Sequence, residues 1–194
     1  MCGICGSVEE APGLGEGDLR AMLASIHHRG PDEEGIHLEP GVALGARRLS
    51  IIDLAGARQP LTNEDGSVVL VFNGEIYNFR ALQERLRRGG HTLRSNGDGE
   101  VIAHLYEDLR ERCVEELQGM FAFALWDRRE QRLLIARDRL GVKPLYYAPV
   151  GGGLVFGSEI KALQEHPSLE ARLDLAALGR FLALKYVPAP QTMF

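Results

Sequence analysis

Cysteine is scarce in this 194-residue chain: three residues, at positions 2, 5 and 113. So small and odd a count builds no disulfide framework. Cys2 and Cys5 have the spacing of half a zinc site, but no second C-x-x-C appears and the histidines do not pair at ligand spacing along the chain. No metal site is therefore expected. Nor does Cys5 open a helix, as a thioredoxin-like redox pair should, since Gly-Ser-Val-Glu-Glu follows it. Long apolar runs are lacking too, which excludes a helical membrane span. No charged residue precedes an apolar run as in a secretory leader, so a cytoplasmic location is expected. Cations are outnumbered, with 22 Lys and Arg against 27 Asp and Glu and a formal charge of -5. That balance argues against a nucleic-acid binder driven by phosphate neutralisation. There is no internal repeat, no low-complexity segment and no P-loop.

What remains is ordinary globular composition, 45% hydrophobic and 25% charged. The length suits one domain with a real core, or one domain plus a short extension. Residues 1–8 read as a strand whose small residues let other backbone come close. Asp18 reads as the N-cap of a helix reaching His28, stopped by Gly30-Pro31. Strand signals follow over 42–53 and 67–72, and Asn73-Gly74 reads locally as a tight turn. Helices are expected over 79–88 and 100–113. FAFALWD (121–127) and RLLIARD (132–138) alternate as a hairpin, and YYAPV and LVFGSE add strands. Short helices are expected over 160–164 and 175–186. Antiparallel hairpins with helices between the runs give an α+β fold, with sheets packed together and helices outside. The final VPAPQTMF reads as the start of a linker, over 187–194, leaving 2–186 as the domain.

The opening MCGICG allows several readings. Two inert cysteines buried in a strand is the plain one, and it suits Cys5. Cys2 has a sharper one. Removal of Met1 would leave a thiol and a free α-amine on one residue. An α-amine has a reference pKa of about 7.7–8.0. It can take the thiol proton and later return one to a leaving group.

The motifs together settle between these. MCGICG (1–6), HRGPD (28–32), RLSIID (48–53), QPL (59–61), NGEIYN (73–78), GDGEV (97–101), LQGMFAFALWD (117–127), RDRLGVKPLYY (137–147) and SEIKAL (158–163) run through the whole chain. In that order they resemble the class II glutamine amidotransferase domain, an N-terminal-nucleophile hydrolase. Within that class the chain is most similar to the N-terminal half of glutamine-dependent asparagine synthetase. The resemblance implies a four-layer αββα sandwich of two mainly antiparallel sheets. It implies glutamine as substrate, hydrolysed to glutamate and ammonia through a thioester on Cys2.

The resemblance also assigns the substrate's contacts. Asn73 and Gly74 would form the oxyanion hole, through a side-chain amide and a backbone N–H. Arg48 would take the α-carboxylate, as a planar, always-charged fork does best. Arg47 beside it should face the other way and stay solvated. Asp98, helped by Glu75, would take the α-ammonium, and backbone near Leu49 and Ile51 would complete the pocket. Gly99 stands where many relatives carry a side chain. His28, Arg29 and RDRLGVKP are read as scaffold. No cofactor is implied for this chain. The Ser- and Gly-rich pyrophosphate loop of the synthetase half is absent, so ATP, Mg and aspartate belong to a C-terminal synthetase domain beyond residue 194. The same glutaminase chemistry could feed another acceptor, or the domain could serve only for docking. A homodimer is compatible with the resemblance, and the residues leave oligomeric state open.

Overall fold

Alternation along the strands sorts the apolar residues into three separate cores. The computed structural model describes residues 2–10, 12–54 and 56–194. Nine strands are described: β1 (Gly3–Val8), β2 (Glu33–Glu39), β3 (Val42–Arg48), β4 (Leu61–Thr62), β5 (Val68–Ile76), β6 (Gly119–Asp127), β7 (Arg132–Arg137), β8 (Tyr146–Val150) and β9 (Gly153–Gly157). They form a five-stranded sheet, β2-β3-β1-β9-β8, and a four-stranded sheet, β4-β5-β6-β7. The strand pairings within both are antiparallel.

Ile4, Leu44, Val69, Val71, Ala124, Trp126 and Phe156 fill the space between the two sheets. The next residues along those strands face outward, because successive side chains alternate. Cys5, Ala43 and Val155 lie under α1 (Glu16–Ser25) and α4 (Ile160–Gln164). Leu70, Phe72, Phe123 and Leu125 lie under α2 (Phe79–Arg88) and α3 (Glu100–Leu109). Three cores separate four layers, so the expected αββα sandwich is present. Each fully buried Ile, Leu or Phe contributes about 1.5–3 kcal/mol relative to exposure. None of the described helices is long and apolar enough to cross a membrane.

Several local expectations are corrected. α1 begins at Glu16 with Gly15 as its N-cap, and Asp18 lies in the first turn, where a carboxylate suits the helix dipole. The helix ends at Ser25, and His27–Arg29 form a 3₁₀ turn. β3 stops at Arg48 rather than at 53, because the Arg48 guanidinium gathers the next carbonyls around itself. Asn73-Gly74 is no turn: both residues pair with β6, against Ala122 and Phe121. A neighbouring strand has overridden a local turn preference. α3 ends at Leu109 and continues as a 3₁₀ segment, Arg110–Glu115. β2 and β4 were not anticipated. β2 is an edge strand, and its three glutamates suit an edge that must not pair further. α5 (Leu175–Leu184) ends two residues early, at a left-handed Lys185. The segment after it folds back, with the Asp174 amide donating to the Met193 carbonyl at 3.0 Å.

Candidate functional site

The rows that fill the space between the sheets change character at one end of the sandwich. On β1 the inward row runs back from Ile4 to Cys2. On β3 it runs from Leu44 through Ala46 to Arg48. On β5 it runs from Val69 through Val71 to Asn73. Period-two alternation puts all three polar groups on the same inner face. Gly3 pairs with Arg47, so the next step in register sets Cys2 beside Arg48. The result is a cavity of about 170 Å³ whose lining includes Cys2, Arg48, Leu49, Ile51, Asn73, Gly74, Glu75 and Asp98. Every residue assigned through the resemblance is therefore brought to one place. Met1, whose removal the sequence reading requires, lies outside the described residues.

Cys2 is half-buried, and its thiol lies 3.8 Å from the Leu49 carbonyl. Its own carbonyl accepts from Arg29 Nε at 3.0 Å. Glu159 in turn accepts from Arg29 Nη1 at 3.0 Å and contacts His28 Nε2 at 2.8 Å. Burial pushes the Glu159 carboxyl up, but hydrogen bonds from Arg29, Lys161 and His28 outweigh it and bring the pKa down to about 2. HRGPD and SEIKAL thus meet as a charged brace behind Cys2. Cys5 faces α1 and is fully buried, and that burial drives its thiol pKa upward.

Asn73 is buried, and its amide Nδ2 has no hydrogen-bond partner. An unsatisfied buried donor costs about 1–3 kcal/mol. Gly74 follows on the unpaired edge of β5. Along that edge the N–H groups alternate in direction. Phe72 is bridged by the Gln59 side chain, whose amide accepts from Phe72 N and donates to Phe72 O, both at 2.7 Å. Ile76 N–H donates to Asp98 Oδ2 at 2.8 Å. Gly74, midway between them, turns its N–H to the same edge. Its glycine is required by packing: a Cβ would sit 2.4 Å from the Met120 carbonyl oxygen.

Arg48 is buried on the inner face, as expected. Its Nη1 donates to Glu33 at 2.8 Å and to Leu54 O at 3.3 Å, and its Nη2 to Ile52 O at 3.1 Å and Asp53 O at 2.7 Å. The fork expected to meet a carboxylate thus holds the chain's own loop. Arg47 does face the other way, yet it is not solvated. It pairs with Glu34 and donates to the Leu23 carbonyl at 3.2 Å.

Asp98 is buried in the cavity's lining. Burial pushes its carboxyl above the usual range; backbone N–H donors oppose this, and the Glu75 charge adds to it. Gly99 packs closely, since a Cβ there would meet Phe72 Cδ1 at 2.8 Å. Among the lining residues that were missed, two carry long polar side chains. Gln59 was noted only within QPL, and Lys143 only within a scaffold motif. Lys143 is buried in the lining. Asp138 accepts from the amides of Leu140, Val142 and Lys143 and so shapes the loop that presents it. The glycine and proline around Lys143 were the available signal for a built loop.

Comparison with known proteins agrees with this architecture. Residues 1–194 match the family described as glutamine amidotransferase domain. The chain is 39% identical over 196 residues to asparagine synthetase [glutamine-hydrolyzing] 3 of Bacillus subtilis, covering 99% of this chain and 32% of that protein. It is 45% identical over 169 residues to asparagine synthetase [glutamine-hydrolyzing] 3 of Arabidopsis thaliana, covering 85% of this chain and 29% of that one. The chain thus spans about a third of the length of these relatives. Among solved structures, the glutamine phosphoribosylpyrophosphate amidotransferase of B. subtilis superposes with a TM-score of 0.65 at 23% identity, over 84% of this chain and 43% of that one. That likeness supports the N-terminal-nucleophile hydrolase fold. The chain belongs to the glutamine amidotransferase domain family, in the branch found in glutamine-hydrolysing asparagine synthetases.

Proposed function

We propose that this domain hydrolyses glutamine to glutamate and ammonia with Cys2 as nucleophile. The observation that carries the reading is the unpartnered Asn73 amide, buried in the same cavity as the Cys2 thiol. A donor left without a partner at that place is complementary to an oxygen that bears charge only in the transition state.

The steps follow from the groups present. With Met1 removed, the Cys2 α-amine takes the thiol proton. The thiolate adds to the side-chain amide carbon of glutamine, and the carbonyl π electrons move onto oxygen. Asn73 Nδ2 and the Gly74 N–H hold that oxyanion. Its collapse breaks the C–N bond, and the α-ammonium of Cys2 returns its proton to the departing nitrogen, which leaves as ammonia. A γ-glutamyl thioester remains. Water, deprotonated by the same amine, adds to the thioester, and loss of the thiolate releases glutamate.

Recognition uses the two ends of the substrate. The ionised Asp98 and Glu75 suit the α-ammonium. Arg48 suits the α-carboxylate, which would replace the loop carbonyls now bonded to it. The loop bonds already have a charged donor; a carboxylate adds the opposite charge and a bidentate match to the guanidinium fork, so the exchange favours binding. It also frees the backbone at Ile52–Leu54. No step requires a cofactor.

For the whole protein we propose ATP-dependent asparagine synthesis, with ammonia passed to a synthetase domain that binds aspartate, ATP and Mg. The names and lengths of the relatives support this. Residues 2–186 would be the amidotransferase unit and 187–194 the start of the linker. Exposed Leu175, Leu182, Leu184 and Tyr186 on and beside α5 suit a packed neighbour. The direct test is glutamate release from glutamine by protein with Cys2 exposed. Activity in the wild type and its loss in Cys2→Ala is the expected result; equal rates in both would overturn the assignment.

A further inference from the structure

Two histidines and two glutamates that sit far apart in sequence converge where α3 meets the β4–β5 turn. Glu64 comes from that turn, His91 from the α2–α3 connection, and His104 and Glu107 from one face of α3. One ligand atom from each lies within 4.8 Å of the others. None of the four residues lines the cavity containing Cys2.

The histidine-to-glutamate spacings, counted over both Glu64 oxygens, are close to those of a coordination shell. A tetrahedral ion with N and O ligands at about 2.0–2.1 Å keeps its donors roughly 3.4 Å apart. Here His91 Nδ1 is 3.0 Å from Glu64 Oε1 and 3.8 Å from Glu107 Oε2. His104 Nδ1 is 3.1 Å from Glu64 Oε2 and 3.6 Å from Glu107 Oε2. His104 is 0% exposed, and its Nδ1 makes no hydrogen bond despite those neighbours, because the alignment is wrong for one. Glu107 Oε2 is buried and equally without a hydrogen bond. His104 Nδ1 and Glu107 Oε2 thus lie 3.6 Å apart with no hydrogen bond between them, while His91 Nδ1 is hydrogen-bonded to Glu64 Oε1; a cation would satisfy the two open atoms.

The outer partners fit as well. A metal-bound histidine usually gives its other ring N–H to a carboxylate, which fixes the tautomer. His104 Nε2 lies 3.4 Å from Glu100 Oε1, and His91 Nε2 lies 3.3 Å from Asp108 Oδ1. In His104 this leaves Nδ1 as the lone pair turned to the cluster; His91 Nδ1 bonds Glu64 Oε1 at 3.0 Å and would give up that proton to bind an ion. His91, Glu64 and Glu107 are only partly buried, so an ion can enter from solvent.

The geometry points to a structural zinc site formed by Glu64, His91, His104 and Glu107, closed by four protein ligands. It would pin the β4–β5 turn and the α2–α3 connection to α3, on the outer face of the four-stranded sheet. The cluster's two histidines are 13 residues apart, so no ligand spacing along the chain announces it.

The test uses the full chain in a Cys2→Ala background, which removes a competing thiol ligand. Chelator-stripped protein is titrated with Zn²⁺ against a chromogenic chelator, and Co²⁺ is added separately to read coordination from its visible spectrum. The expected result is one equivalent bound, an intense tetrahedral Co²⁺ spectrum, and a Tm that rises with Zn²⁺. His91→Gln, at the partly exposed edge, should keep its circular dichroism and lose affinity by about 100-fold or more. Asp108→Asn, which touches only the far side of His91, should weaken binding about 10-fold. Failure of the stripped Cys2→Ala protein to bind Zn²⁺ would overturn the site and leave a network of ion pairs and hydrogen bonds. One equivalent bound with unchanged affinity in His91→Gln would overturn it equally.

Discussion

Cys2 and Arg48 stand side by side where β1 and β3 run out of apolar residues, one step beyond the Gly3–Arg47 pair. A thiol and a guanidinium thereby replace the isoleucine and alanine of the same inner rows. Arg48 also holds the loop that follows it. Arg48→Lys should therefore fail twice, because an ammonium matches neither a carboxylate's two oxygens nor three converging carbonyls. We expect KM for glutamine to rise about 10- to 100-fold, from charged hydrogen bonds worth roughly 1.5–3 kcal/mol. Steady-state glutamate release checks it. Hydrogen exchange should also show the 50–54 amides less protected in the variant.

Asn73→Ala separates binding from chemistry. The amide donates to nothing in the free protein, so its removal spares the fold. Loss of one oxyanion donor lowers kcat by about 10²–10³ while KM moves little. A variant with raised KM and unchanged kcat would place Asn73 in recognition instead.

Asp98 sets a pH limit on binding. Burial, with the Glu75 charge adding, raises its pKa in the folded protein. The native state therefore holds more protons than the unfolded chain between the ordinary carboxylate pKa and the raised one. Stability falls as pH rises through that window. Glutamine needs the ionised form, so its affinity falls as pH drops through the raised value, earlier than for an ordinary aspartate. Glutamine Kd measured on Cys2→Ala across acidic pH reads this binding effect without turnover. Asp98→Asn should bind weakly at every pH, without that acid limb, while its side-chain oxygen still accepts the Ile76 N–H.

Thiol chemistry distinguishes the three cysteines. Cys5 and Cys113 are fully buried, and burial pushes Cys113 up to about 12 and Cys5 further in the same direction. Iodoacetamide on native protein should label Cys2 alone, and glutamine should slow the labelling. Peptide mapping that finds Cys5 labelled at a comparable rate would contradict the placement.

The sandwich and most of the site were legible because both ride on alternation and on long motifs. Cys2, Asn73 and Asp98 stand where their motifs put them; a one-residue step along a strand required only one of Arg47 and Arg48 to face inward, and the family resemblance chose Arg48. What escaped depends on partners distant in sequence. Asn73-Gly74 has the composition of a turn, and only β6, some 50 residues on, makes it strand. The Arg48 fork looked free because no local signal shows that a chain will curl back over its own side chain. Lys143 and Gln59 carry ordinary polar side chains whose burial appears only on folding. The Glu64, His91, His104 and Glu107 cluster joins three segments of unremarkable spacing.

The central claim is that one sulfur carries the glutamyl group. Rapid quench of the wild-type protein with glutamine, followed by mass spectrometry of its peptides, tests it directly. We expect an acid-stable, hydroxylamine-labile glutamyl adduct on the peptide that begins with Cys2, preceded by no Met1. Steady glutamate release with no such adduct at residue 2, or with the adduct on another residue, would contradict the account.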